Sequence, residues 1–115
     1  MYKRQVERWC LELLAELGAE VGDTVYTTGG GAKSLEWMQV RADILNRRVV
    51  RPQSAECAMG TAAVAASSTL HPDLESAVKA MVKPGESVEP DPEKAKVYEW
   101  RYGAFRDACT RRGYR

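Results

Sequence analysis

Three consecutive glycines, at residues 29–31, interrupt the stretch VYTTGGGAKS of residues 25–34. The β-branched and aromatic residues before them predict a strand, and the residues after them follow a helical pattern. Glycine permits backbone angles that other residues avoid, and it lets bare main chain approach a ligand. The first turn of the following helix offers unpaired N–H groups to an anion. The sequence therefore predicts a strand, a glycine loop and a helix that together can hold a phosphate-bearing ligand.

Short strands and helices alternate around this loop. Apolar residues spaced at i, i+3 and i+4 predict a helix over residues 3–17, which Gly18 ends. A short buried strand is predicted at residues 23–28, and after the glycines a helix begins at Ser34 and runs to about Asn46. Residues 47–52 predict a second strand. Because two strands joined through a helix pair in parallel, this part of the chain predicts a β-α-β unit.

The second half of the chain predicts helices. Residues 54–68 form a helix of small side chains, which suits close approach of one backbone to another. Residues 71–82 predict a shorter helix, and the proline- and glycine-rich residues 83–92 read as a connector. A last helix opens at Asp91-Pro92 and ends at Gly113.

Composition narrows the class of protein. The chain has 115 residues, the length of about one domain, and a net charge of +1. Such a charge points to neither nucleic acid nor an anionic membrane as a partner. There is no signal-peptide pattern and no apolar run of about 20 residues, so a cytoplasmic protein is predicted. Cys10, Cys57 and Cys109 lack C-x-x-C spacing and predict reduced, buried thiols, while His71 alone predicts no zinc site.

A P-loop does not fit the glycine stretch. The pattern G-x-x-x-x-G-K-[ST] matches Lys33 and Ser34 but meets Thr27 and Ala32 where its two glycines belong.

A plain strand-to-helix turn without a ligand is a second interpretation of the glycine stretch. In that case the chain would be a non-enzymatic interaction module.

A dinucleotide-binding loop fits only in part. The pattern G-x-G-x-x-G can be laid on Gly29, Gly31 and Ser34, but the third position needs glycine or alanine for tight packing of helix on strand. The acidic residue that would bind a ribose hydroxyl is also missing, because the second strand ends in Arg51 and Pro52. An oxidoreductase fragment is therefore the disfavoured alternative.

The longest shared pattern resembles a known family. Residues 27–52, TTGGGAKSLEWMQVRADILNRRVVRP, and residues 55–66, AECAMGTAAVAA, resemble the C-terminal domain of the FGGY carbohydrate kinases. Members of that family are similar in showing GGGA-[KR]-S, then W-x-Q-x-x-AD, a short strand and an E-x-x-A-x-GAA helix. Thr61 departs from the alanine that is commoner there. Residues 81–108 resemble the family's closing segment, and the GGGAKS-x-x-W-x-Q string looks closer to xylulokinase-like members than to glycerol kinase.

The resemblance implies an α/β fold, namely the C-terminal part of an actin-like (ribonuclease H-like) ATPase domain with short parallel strands flanked by helices. It implies one domain over residues 1–115, with a β-α-β core in residues 1–70 and a helical tail in residues 71–115. By the same likeness the small-residue helix around Gly60 packs beneath the loop, and Trp37, Gln39 and Asp43 are packing and helix-surface residues. The residues that it places against the adenosine and α-phosphate of ATP are Gly29, Gly30, Gly31, Ala32, Lys33 and Ser34.

The resemblance also implies what other parts of such a kinase supply. The sugar site, the carboxylate that orients the sugar hydroxyl and the Mg²⁺ site belong to the N-terminal domain and the first part of the C-terminal one. No catalytic or metal-binding residue is therefore predicted in this chain, and the chain alone is predicted to be inactive. Two short parallel strands leave an open sheet edge, which predicts a homodimer.

Overall fold

The computed structural model describes residues 2–54 and 57–114. The described residues contain five α-helices, three strands and one 3₁₀ turn. In chain order they are α1 (Tyr2–Glu16), β1 (Thr24–Tyr26), the 3₁₀ turn (Gly30–Lys33), α2 (Leu35–Leu45), β2 (Arg48–Pro52), α3 (Cys57–Ser67), α4 (Leu74–Met81), β3 (Pro84–Val88) and α5 (Pro92–Arg111). None of these helices combines the length and apolarity needed to cross a membrane.

The parallel β-α-β unit is confirmed. β1 and β2 pair in parallel, with Val25 opposite Val49, and α2 connects them. β1 itself differs from its prediction as a buried strand, because Thr24 and Tyr26 are exposed. It lies at an edge of the sheet, where the described residues provide no second neighbour to cover it.

The connector predicted for residues 83–92 is wrong in its first half, which forms β3. This strand pairs antiparallel with β2, so the sheet is mixed and has the order β1-β2-β3. Pro84 is tolerated because it opens an edge strand, where a missing N–H costs little. Val88, at the other end of β3, packs against the buried cluster of Met38, Ala42 and Val49. Burial of this one valine and pairing with β2 favour the strand over an open loop.

Polar side chains fix the ends of the helices as the sequence predicts. The hydroxyl of Ser34 accepts the N–H of Trp37 at the start of α2, and Asn46 ends that helix in the left-handed conformation with φ 50°. Asp73 and Asp91 cap α4 and α5 in the same manner. These contacts satisfy N–H groups that a helix leaves without partners.

A buried carboxylate joins α2 to the start of α5. Asp43 is 2% exposed and accepts hydrogen bonds from the Gln39 amide and from the backbone N–H of Asp91, each at 2.8 Å. Gln39 also donates to the carbonyl of Glu89 at 2.8 Å. Their structural role agrees with the prediction, but Asp43 lies inside the protein and not on the helix surface.

The small-residue helix does not lie beneath the glycine loop. α3 packs on α4, with Ala63 and Ala66 buried between them. A side chain at Gly60 would meet no described atom within 4 Å, so this glycine does not serve a close backbone approach. The prediction of buried thiols is wrong as well, since Cys10 and Cys57 are exposed.

Candidate functional site: a glycine loop beside two cavities

The glycine loop begins where β1 leaves the sheet. The N–H of Thr27 donates to the carbonyl of Val50 at 2.9 Å, and it extends the parallel pairing by one residue. The chain then turns through Gly29 into the 3₁₀ turn, which the N–H of Ala32 closes on the carbonyl of Gly29 at 3.1 Å. The loop therefore lies at the carboxyl end of the parallel strands, where ligands bind in open α/β sheets.

Gly29 is required by its own backbone. It has φ 79° and ψ −169°, a conformation that is essentially restricted to glycine. A Cβ atom there would meet no described atom within 4 Å. Its torsion angles, and not crowding, therefore explain why residue 29 is glycine.

Gly31 is required by a neighbouring ring. A Cβ atom at this position would lie 3.3 Å from Cδ1 and Nε1 of Trp37. Such a separation is closer than carbon atoms normally pack, so the indole would have to move. Gly31 and Trp37 thus fit each other across the start of α2.

Gly30 has neither constraint. Its φ lies outside the positive range, and a Cβ atom would meet no atom of the described chain within 4 Å. The fold of these residues accommodates a side chain there, yet the sequence has none. The main chain at Gly30 is consequently open to a molecule that approaches from outside.

Of the other three predicted site residues, two make contacts that hold the loop and one is exposed. Ala32 is fully buried, and its carbonyl accepts a hydrogen bond from Arg51 at 3.1 Å. Lys33 is exposed. The Ser34 hydroxyl caps α2 and donates to Glu36 at 2.8 Å. The Glu36 carboxyl accepts hydrogen bonds from its own backbone N–H and from this hydroxyl, and both contacts lower its pKa.

An apolar cavity of about 430 Å³ lies beside Tyr26 and Thr28, which lead into the loop. We call it the apolar pocket. It opens between the exit of β1, the end of β2 and the helices α3 and α4. Its walls include Tyr26, Thr28, Pro52, Met59 and Val82. A flat aromatic group fits such walls, because they offer apolar surface and only a few polar atoms.

A second cavity of about 390 Å³ shares Tyr26 and Thr28 with the first, is also lined by Gly31, and presents mainly polar groups. We call it the arginine pocket. Its lining residues are Arg4, Tyr26, Thr27, Thr28, Gly31, Trp37 and Arg41. A cavity suited to a ring and a cavity suited to an anion therefore both adjoin Tyr26 and Thr28, where the chain leads into the glycine loop. The three loop glycines line neither the apolar pocket nor a groove of about 770 Å³ between α2, β3 and α5.

Comparison with known proteins decides the family. The sequence profile described as "FGGY family of carbohydrate kinases, C-terminal domain" matches residues 5–69, more than half of the chain. The chain belongs to the FGGY family. Its fold is accordingly that of the FGGY sugar kinases, as predicted, with the difference that the sheet is mixed.

Individual relatives agree with this assignment. The FGGY chain is 33% identical over 97 residues to a xylulose kinase of Staphylococcus epidermidis. The matched region covers 83% of this chain and 19% of that protein. It is 31% identical over 102 residues to the xylulose kinase of Bacillus subtilis, covering 87% of this chain and 20% of that protein. The solved xylulose kinase of Rhodospirillum rubrum superposes with a TM-score of 0.68 at 29% identity, over 93% of this chain and 22% of the other. The chain thus spans about a fifth of the length of the relatives that it matches.

The arginine pocket was missed by the sequence-based prediction. Trp37 was interpreted as a packing residue, and neither Arg4 nor Arg41 was singled out. Arg41 contacts Glu7, which lies 34 positions earlier in the chain. Helical periodicity reports neighbours three or four residues apart, so no local pattern indicates this contact.

Proposed function

We propose that this chain is the ATP-binding C-terminal part of a carbohydrate kinase. The complete kinase transfers the γ-phosphate of ATP to a hydroxyl of a small sugar or polyol, such as a pentulose. The Staphylococcus epidermidis and Bacillus subtilis relatives are named xylulose kinases, which supports a pentulose as acceptor. We place the protein in the cytoplasm.

The open main chain at Gly30 carries this proposal. The backbone angles explain Gly29 and the indole of Trp37 explains Gly31, but no contact within the described residues explains Gly30. A nucleotide lying against the loop does explain it, since any side chain would stand between the ligand and the backbone.

We assign the residues of the loop as follows. Gly29, Gly30 and Gly31 contact the adenosine and α-phosphate through the main chain. Ala32 keeps the turn in place by its burial, and Ser34 holds the start of α2 beside the nucleotide. Lys33 is positioned in solvent, from which its flexible side chain can reach a phosphate. The apolar pocket, beside Thr28 and Met59, is the cavity that suits the purine ring.

The remaining parts of the reaction are assigned outside these 115 residues. Phosphoryl transfer needs Mg²⁺ to bridge the phosphates and a carboxylate to orient the attacking hydroxyl. Among the residues that the structure describes, no three His, Cys, Asp or Glu side chains lie close enough together to hold a metal ion. This chain positions the donor nucleotide, and we expect it to have no kinase activity alone.

Calorimetric titration of the 115-residue chain tests the nucleotide assignment. ATP and ADP are expected to bind, and NAD is not. Gly30→Val places a branched side chain in the open space and should weaken ATP binding by about tenfold or more, equivalent to about 1.4 kcal/mol. Gly22→Val is the matched control, because Gly22 also faces open space but lies before β1.

Two results contradict the proposal. One is equal ATP affinity in the parent chain and in Gly30→Val, and the other is an absence of ATP binding at millimolar concentration. A preference for NAD over ATP would instead support the dinucleotide-binding alternative. Phosphorylation of a pentulose by the purified chain would contradict the assignment of the catalytic groups to another part of the kinase.

A further inference from the structure

The arginine pocket has an unusual charge balance. Its only charged lining residues are Arg4 and Arg41, and no carboxylate lines it among the described residues. Both guanidinium groups pair with the same carboxylate, that of Glu7, which is not among the lining residues. Two positive charges and one negative charge leave this cluster with a net charge of +1 beside a cavity.

The side chain of Arg41 is buried, but its hydrogen-bond partners do not satisfy all of its N–H donors. Its side chain is only 10% exposed, and it donates to the Thr27 hydroxyl and to Glu7. Its Nε–H is buried and has no acceptor in the described chain, and the same holds for the Nε–H of Arg4. A guanidinium group carries five donors, and burying a cation without enough acceptors is unfavourable. An anion in the adjoining cavity would offset this charge.

The pocket also holds its groups in place for a ligand. The guanidinium of Arg4 lies over the Trp37 ring, 5.5 Å from the ring centroid, which limits its movement. The hydroxyls of Thr27 and Thr28 and the main chain at Gly31 complete the lining. Arginine forks and hydroxyl groups match the oxygens of a tetrahedral oxyanion better than they match any neutral ligand.

We propose that the arginine pocket binds a phosphoryl group, with Arg4 and Arg41 as the cationic residues that hold it. The group comes either from the phosphate chain of a nucleotide or from free inorganic phosphate. The inference goes beyond nucleotide contact by the glycine loop and does not depend on it, since it rests on charge and geometry around α1 and α2. The competing explanation is that Arg4, Glu7 and Arg41 only clamp these two helices together.

Titration of the chain with inorganic phosphate, observed by nuclear magnetic resonance, separates the two explanations. Sodium chloride at matched ionic strength corrects for screening. Phosphate is expected to shift the Arg4 and Arg41 guanidinium signals and the Trp37 indole signal. Arg4→Gln should weaken phosphate binding at least about fivefold, because a charge-assisted contact is lost at the pocket rim. Arg48→Gln, which removes an exposed arginine of β2, should leave it unchanged.

A second variant and a second ligand set complete the test. Arg41→Lys keeps the charge but loses the planar fork, so an intermediate affinity is expected. If that variant does not fold, Arg4→Gln and the three signals still decide. Adenosine and ATP then distinguish the source of the phosphoryl group. If ATP no longer binds more tightly than adenosine in Arg4→Gln, the pocket binds the phosphate chain of the nucleotide. If ATP still binds more tightly than adenosine in that variant, the pocket binds free phosphate.

Two results would overturn the inference: unchanged phosphate binding in Arg4→Gln, or pocket signals that respond to phosphate no more than to chloride. Either result would leave the explanation that these side chains only clamp α1 and α2 together. This outcome is separable from failure of the proposed function. Adenosine and ATP can both fail to bind while inorganic phosphate still titrates the pocket, and the reverse can also occur.

Discussion

At the scale of single residues, the three glycines have three different reasons to be glycine. The sequence predicted where the loop lies but not how its members differ, because the spacing of glycines carries no information on torsion angles or on nearby rings. Gly29 adopts φ 79°, Gly31 faces the Trp37 indole at 3.3 Å, and Gly30 faces open space. Of these three, only Gly30 has no reason within the described residues, and the proposed nucleotide would supply one.

Alanine substitutions measure this difference directly. Gly29→Ala should reduce the free energy of unfolding by about 1–3 kcal/mol, since alanine resists that backbone conformation. Gly30→Ala should change it by less than about 0.5 kcal/mol, as an exposed substitution without strain. Urea denaturation of both variants provides the comparison. Equal losses would show that Gly30 too is held by the fold.

At the scale of elements, the sequence predicted all five helices and both parallel strands, but it missed β3. The segment PGESV contains a proline and a glycine, and it lacks the apolar alternation that predicts a strand. Its pairing partner, β2, lies about 35 positions earlier in the chain (Val50 against Ser87, for example), and its burial depends on Val88 alone. Contacts so distant in sequence leave no local signal, which explains the error.

Gly85 provides a test of this strand. A Cβ atom there would stand 2.6 Å from the carbonyl oxygen of Arg51 in the neighbouring strand. Gly85→Ala should therefore cost about 1–3 kcal/mol of unfolding free energy through overpacking. Gly103→Ala is the control, because Gly103 lies in α5 with open space around it and should stabilise the chain by about 0.5–1 kcal/mol. A neutral Gly85→Ala would show that β3 is not paired with β2.

The cap of α5 predicts a dependence of stability on pH. The backbone N–H groups of Lys94 and Glu93 donate to Asp91 and lower the pKa of its carboxyl. Because the folded pKa is depressed, the stabilisation is present above the unfolded pKa of about 3.9 and is lost as the pH falls through the folded value. Asp91→Asn keeps a capping side chain that does not titrate.

Thermal unfolding of both chains across the acid range measures this effect. The parent chain should be the more stable at pH 7, and the difference between the two should shrink below about pH 4. A difference that stays constant with pH would contradict the role of the Asp91 charge.

At the scale of the whole molecule, the two edges of the sheet are unlike. β3 carries Pro84 and Glu86, which discourage pairing with another strand, whereas β1 has the uncharged sequence TVY and an exposed Tyr26. The open edge that the sequence predicted thus lies on β1.

For the isolated chain we predict a homodimer that pairs through β1. Sedimentation velocity at micromolar concentration should show a dimer. Thr24→Lys should shift the chain to a monomer, because lysine on an exposed edge strand opposes the addition of a second strand. Thr69→Lys is the control, because it adds the same charge at an exposed position away from the sheet, and it should leave the dimer intact. A parent chain that sediments as a monomer would contradict this prediction.

The central claim, that bare main chain at the exit of β1 contacts a nucleotide, is tested most directly by mapping ATP onto the backbone amides with nuclear magnetic resonance. The account predicts that ATP shifts the amide signals of Gly29, Gly30 and Gly31 most strongly, followed by those at the start of α2. Shifts confined to the groove between α2, β3 and α5, with the three glycine amides unmoved, would contradict it.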